Sequence, residues 1–276
     1  MRVGQGLIVA LAMTALAGCD TTQGLMGGNN PGFAVVDTAS AATTTNIDSL
    51  DNVVHAHPND PDAYNTRGVA YAKVGRYRDA IADFTHAIHL SPQNAPAFTN
   101  RALAYRQMGD NEAALRDFGA AIQANPNHAP AYLGRANLLR AQGHLDQAMA
   151  DLTQVIRLDP EGAQAFHSRG LIYQREGDHV KAITDFDNAI DRDPFAAAPY
   201  QARAQSLLSL ARYPEAVQDF NASLNVNAQN ADAWAGLGLA NEHLGKKSDA
   251  MTDYQRALGL RPDDRVARAG VGRLGS

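Results

Sequence analysis

Three sets of side chains in this sequence could do chemistry: one thiol, nine imidazoles, and a ladder of guanidinium and carboxylate groups. Cys19 is the only cysteine, so no internal disulfide is available. His86 and His89 stand three residues apart on one predicted helix, with no third zinc ligand near them in sequence. His55 and His57 flank a helix end before Pro58. These imidazoles read as surface and capping groups. Arg67, Arg101, Arg135, Arg169 and Arg203 recur at a fixed interval, with Leu237 in the sixth place. Asp83, Asp117, Asp151, Asp185, Asp219 and Asp253 recur at the same interval. Guanidinium and carboxylate on opposing helices suit bidentate pairs, within a repeat or between neighbours. The competing reading is an exposed basic stripe for an acidic ligand. No glycine-rich phosphate cradle and no nucleophile elbow accompany them. The sequence therefore points to no catalytic residue, no metal site and no cofactor.

The elements that carry this ladder follow from its period. An aromatic opens the pattern aromatic–x–x–Arg at Tyr64, Phe98, Tyr132, Phe166 and Tyr200, and Trp234 starts the sixth copy. The interval is about 34 residues, which means one helical hairpin copied and stacked, no copy burying its apolar face alone. Repeats fall at 61–94, 95–128, 129–162, 163–196, 197–230 and 231–264. Position 8 of each is small (Gly68, Ala102, Ala136, Gly170, Ala204, Gly238), allowing close approach of two antiparallel helices. Position 20 is Ala throughout, and position 24 holds Phe84, Phe118, Leu152, Phe186, Phe220 and Tyr254. Spacings of three and four place these on one helical face. Gly75, Gly109, Gly143, Gly177 and Gly245 mark the turns, and Pro92, Pro126, Pro160, Pro194 and Pro262 follow the second helices. The fifth copy departs most, with Ala211, Ser223 and Ala228 at these special positions. Residues 46–60 fit an N-terminal capping half-repeat, and 265–276 a C-terminal capping helix and tail, with Val266, Ala269 and Leu274 expected to cover repeat six.

The repeat pattern resembles the tetratricopeptide repeat (TPR) family over about three quarters of the chain. That resemblance implies an all-α, right-handed α-solenoid of six helix–turn–helix repeats with capping helices. It also implies that the first helices line a concave groove. On the matching positions this groove would present Asn65, Val69, Lys73, Thr99, Leu103, Arg106, Leu133, Asn137, Arg140, His167, Leu171 and Arg175. The mixture of amide, aliphatic and cationic groups suits a protein or peptide segment carrying some negative charge. The carboxylate clamp of chaperone-binding relatives is not matched, since its positions hold Asn65, Val69 and Pro130.

The N-terminus adds a location. Arg2 precedes an apolar run from Leu7 to Ala17, too short to span a bilayer but suited to a secretory signal. The run ends in Leu16-Ala17-Gly18-Cys19, which resembles the bacterial lipobox. Residues 1–18 are thus expected to be a lipoprotein signal peptide, and Cys19 the lipidated residue. Residues 19–45, rich in Thr, Gly, Asn and Ala, read as a flexible tether. A formal net charge of −5 argues against a nucleic-acid partner. Lipobox plus TPR array resembles the NlpI-type TPR lipoproteins. It implies a lipid-anchored scaffold of the cell envelope, facing the periplasm from the outer or inner membrane, with envelope hydrolases or a protease as partners. The alternative is a pilotin or assembly lipoprotein for a secretin or pilus. A homodimer through the 46–58 segment is compatible with either.

Overall fold

The computed structural model describes residues 47–275. The expected signal peptide, Cys19 and the tether lie outside the described residues. Within them the chain forms fourteen α-helices and no strand. A single helix, α1 (Ile47–Ala56), leads into six antiparallel pairs. These are α2 (Pro61–Lys73) with α3 (Tyr77–Leu90), α4 (Ala95–Gln107) with α5 (Asn111–Ala124), and α6 (Ala129–Ala141) with α7 (Leu145–Leu158). Next come α8 (Ala163–Arg175) with α9 (His179–Arg192), α10 (Ala197–Ser209) with α11 (Tyr213–Val226), and α12 (Ala231–His243) with α13 (Lys247–Leu260). α14 (Arg265–Leu274) closes the stack. First helices of consecutive pairs touch one another, as do α12 and α14, while each second helix packs between its own first helix and the next. One wall of the stack is therefore built of first helices. No described helix is long and apolar enough to cross a membrane.

Local chemistry sets the ends of these helices. Side-chain oxygens of Asn94, Asp110, Asp178, Asn230 and Asp264 accept the backbone N–H three residues on, at 2.8–3.1 Å, satisfying donors that a helix start leaves free. Every second helix stops in an extended residue immediately after its last helical position: Ser91, Asn125, Asp159, Asp193, Asn227 and Arg261 all have φ near −140°. Five of them precede proline, which disfavours helical backbone before it. Asn227 precedes Ala228 and takes the same conformation, so packing enforces what proline enforces elsewhere. The hairpin turns place five glycines at φ of 76–84°, and Ala211 is forced to φ 58° at the same point. A Cβ in that region costs about 1–2 kcal/mol, partly offset by the greater freedom of glycine when unfolded. Ala211→Gly is accordingly expected to stabilise the protein by about 1 kcal/mol, read as a raised thermal midpoint.

The core is a file of position-24 side chains, each wedged between two first helices. Phe84, Phe118, Leu152, Phe186, Phe220 and Tyr254 are all fully buried. Each phenylalanine lies against one glycine: Phe84 on Gly68, Phe118 on Gly134, Phe186 on Gly170, Phe220 on Gly236. A Cβ at any of these would stand 2.3–2.6 Å from the ring. Tyr254, the largest, lies between two, Gly238 and Gly270. Leu152 is the smallest, and its first-helix neighbours in the same register are Ala136 and Ser168. Ring volume and glycine number thus rise together, as close packing requires.

The closing helix differs from its expected face. Leu274 packs partly buried against the repeat-six cluster as expected, but Val266 and Ala269 are exposed, and Ala267 and Gly270 are buried instead. The reason is register: α14 repeats the opening of a first helix, so its Gly270 meets Tyr254 as Gly236 meets Phe220. Arg273 then grips Glu242 of α12 with two bonds of 2.7 Å, and the Tyr254 hydroxyl donates to the same carboxylate at 2.6 Å. Arg273 and Tyr254 together hold Glu242 down to about 2. At the other end, Val54 of α1 is buried and Asp51 pairs with Arg67 at 2.9 Å.

Candidate functional site

The arginine ladder is closed on itself. Nε and Nη2 of Arg67, Arg101, Arg135, Arg169 and Arg203 each donate to both oxygens of Asp83, Asp117, Asp151, Asp185 and Asp219, at 2.6–2.8 Å. Every pair lies within one repeat. In three of them the third guanidinium nitrogen reaches back to the preceding second helix: to Asp51 from Arg67, Thr85 from Arg101 and Asp187 from Arg203. The aspartate side chains are 4–10% exposed and the arginines 15–30%. Hydrogen bonding to the aspartates raises the arginines Arg67, Arg135, Arg169 and Arg203 above their ordinary range. Position-4 rings lie 5.7–5.8 Å from these guanidinium carbons. Both partners are occupied, so the ladder is not an open basic stripe.

The wall of first helices is different in kind. Of the residues expected there, Asn65, Val69, Thr99 and Leu103 are buried, between 1% and 8% exposed, and cannot meet a partner. They fall in the seam where first helices touch. Asn65 accepts from the amide of Asn100 at 3.0 Å, Thr99 donates to Ala95 O, and Val69 and Leu103 join one apolar cluster. Leu133, Asn137, His167 and Leu171 are part-exposed, and Asn137 accepts from Ser168 Oγ at 2.9 Å. Lys73 and Arg175 are exposed at the ends of α2 and α8, with Arg106 and Arg140 half-buried in the last turns of α4 and α6.

Cations on this wall outnumber their carboxylates. Among the described residues no salt bridge involves Lys73, Arg106 or Arg175. Burial lowers Arg106 from its usual range. Burial, with Arg140 beside it, pushes His167 down to about 4. His128, which sequence reasoning passed over, stands at the start of α6 without a side-chain cap bond; burial lowers it too, and its buried Nε2 has no hydrogen-bond partner among the described residues. Its only sequence signal was its place just before a first helix. An anionic group brought to this wall would relieve the cost of a half-buried cation lacking a counter-charge.

His167 makes the acid limb of stability predictable. Unfolded, it protonates near pH 6.5; folded, near pH 4. Its contribution to stability is constant above about pH 6.5 and falls as pH drops from about 6.5 to 4, because the unfolded chain alone takes up the proton there. The loss is on the order of 2–3 kcal/mol by pH 4. His167→Gln should remove that component, seen as a smaller shift in urea midpoint between pH 7 and pH 4.5.

The other expected chemistry is quiet. The His86 ring stands 4.0 Å from the Tyr64 ring. Among the described residues no group of three His, Cys, Asp or Glu is placed to hold a metal.

Family profiles described as tetratricopeptide repeat match residues 61–94, 95–128, 133–197 and 202–265. No curated protein matches significantly in sequence. Similar folds occur in solved structures. A chain of the APC/C hetero-tetramer Cut9–Hcn1 superposes with TM-score 0.73 at 19% identity, covering 85% of this chain and 47% of that one. This protein thus spans about half of that chain's length. Pseudomonas aeruginosa pilF superposes with TM-score 0.72 at 17% identity, covering 82% of this chain and 99% of that one. PilW, a type IV pilus biogenesis factor, gives TM-score 0.68 at 17% identity, covering 76% and 97%. With profiles matching well over half its length, the chain belongs to the tetratricopeptide repeat family, whose stacked helical hairpins act as scaffolds for protein–protein interaction.

Proposed function

We propose that this protein is a lipid-anchored scaffold of the bacterial cell envelope that docks acidic segments of partner proteins on its first-helix wall. The observation that carries the docking reading is the set of Lys73, Arg106 and Arg175, in the last turns of three first helices and without salt bridges among the described residues. The anchor rests on the sequence: an apolar run ending in Leu16-Ala17-Gly18-Cys19. Two acyl signals on Cys19 would hold the chain stably at a bilayer. The protein acts by binding, not by catalysis. Presentation of peptidoglycan hydrolases to an envelope protease, as the likeness to NlpI-type lipoproteins suggests, is the first pathway reading.

A second reading, assembly of a pilus or secretin, is supported by the pilF and PilW likeness. Those chains are covered almost end to end, over 99% and 97% of their lengths. In-cell crosslinking of tagged full-length protein, with mass spectrometry of what co-purifies, separates the two. The control carries Lys73→Glu, Arg106→Glu and Arg140→Glu, with helicity checked by circular dichroism. Hydrolases or a protease, lost in the control, support the adaptor reading. A secretin or pilus subunit supports the second. Partners retained by a folded control place the docking site elsewhere. Cys19→Ser should abolish incorporation of a radiolabelled fatty acid and release the protein from membranes.

A further inference from the structure

Two clefts beside the arginine ladder are built from the same repeat positions and differ in one rung. Between repeats four and five, Ile183, Asp187, Arg203, Leu207 and Asp219 border a cleft of about 250 Å³. Thirty-four residues on, Val217, Asn221, Leu237, Asn241 and Asp253 border one of about 340 Å³. In the first cleft the Arg203 guanidinium bridges Asp219, through Nε and Nη2 at 2.7 Å, and Asp187, through Nη1 at 2.5 Å. In the second, that arginine is Leu237, buried and unable to donate. Asp253 is as buried as the other ladder aspartates, at 8% exposure. It has one hydrogen bond among the described residues, from Asn241 Nδ2 to Oδ2 at 2.8 Å. A carboxylate offers about four acceptor sites, and burial of this one raises its pKa where a guanidinium would lower it.

The remaining charges near the cleft do not fill the rung. Lys246 and Asp249 also line it, and Arg256, 5.0 Å over the Trp234 ring, acts on Asp253 through space, yet neither cation forms a salt bridge with that carboxylate. The walls keep the receptor groups of the other rungs: the buried carboxylate, an acceptor on the preceding second helix (Asn221 where Asp187 stands), and a position-4 aromatic, Trp234. What is absent is the planar fork that five repeats supply themselves.

We propose that this cleft receives an arginine side chain from a protein partner, which completes in trans the sixth rung that this chain leaves empty. Arginine is favoured over lysine because two parallel N–H groups meet both carboxylate oxygens, a geometry an ammonium cannot reproduce. The cleft lies among α11, α12 and α13, at positions other than those expected on the first-helix wall. Docking there is independent of the acidic segment proposed above, and either reading can fail without the other.

Trp234 is the only tryptophan in the chain and borders the cleft, so its fluorescence reports occupancy. The test titrates full-length protein in detergent micelles with N-acetyl-arginine methylamide, and with its lysine and citrulline counterparts. Citrulline keeps the shape and lacks the charge. Saturable change with the arginine compound is expected, half-complete on the order of 1 mM. The response should be at least about tenfold weaker for lysine and absent for citrulline. Leu237→Arg, which fills the rung in cis, should raise the thermal midpoint and abolish the response. Asp253→Asn should abolish it as well. No saturable change, an equal response to citrulline, or arginine binding that survives Asp253→Asn would overturn the proposal. Should Leu237→Arg fail to fold, the Asp253→Asn result decides alone.

Discussion

Asp185→Ala is expected to lower the unfolding free energy by about 3–5 kcal/mol. Asp185 is 4% exposed and takes two bonds of 2.8 Å from Arg169. Its removal strands a guanidinium whose side chain is only 21% exposed, and most of the loss is that uncompensated charge rather than the pair itself. Three comparisons make the cause visible in urea midpoints. Asp253→Asn should cost less than about 1 kcal/mol, since no cation loses a partner. Asp79→Ala, in an exposed pair with Arg76, should cost about 0–1 kcal/mol. The joint change Arg169→Met with Asp185→Leu should recover most of the loss, because an apolar pair can replace a buried ion pair. A cost for Asp185→Ala as small as for Asp79→Ala would mean the ladder is solvated.

Phe186→Ala is expected to cost about 3–5 kcal/mol. The ring is fully buried between α8 and α10, and the Cβ of an alanine would leave the space beside Gly170 empty. Gly170→Ala alone must also destabilise, since its Cβ would stand 2.6 Å from the ring. The two sites are coupled. With Phe186→Leu in place, Gly170→Ala should become nearly neutral, because repeat three already runs with Leu152 and Ala136 at these positions. A double-mutant cycle by chemical denaturation measures this; strict additivity of the two changes would refute the pairing of ring size with glycine. Because a solenoid is held by neighbour contacts, these losses should appear first as local opening around repeats four and five.

Much of this was legible in the chain and some was not. A 34-residue period of aromatic, arginine, alanine and aspartate marks an all-α repeat array, because a hairpin that cannot bury its own face must meet each neighbour in the same way. The arginine and aspartate registers were visible too, but not whether each pair would close within a repeat. The structure places all five within one repeat and sends the spare nitrogen of three of them backwards, to Asp51, Thr85 and Asp187. Position 9 of a first helix points toward a partner by analogy, yet Val69 and Leu103 are buried. Seam width depends on how closely neighbouring first helices approach, and that distance is set by residues 34 positions away. The same holds for glycine: Gly134 and Gly236 break the position-8 rule because they serve the ring of the preceding repeat.

By itself the sequence determined the repeat, its period, the helix ends and the residues that depart from the pattern, since each follows from local backbone chemistry and periodic burial. Only the tertiary structure decided which cations lack a carboxylate, which expected groove residues are sealed in the seam, and that among the described residues no other cation pairs with Asp253 where Leu237 replaces arginine. Those are properties of contacts between repeats, where distance in space and distance along the chain no longer agree.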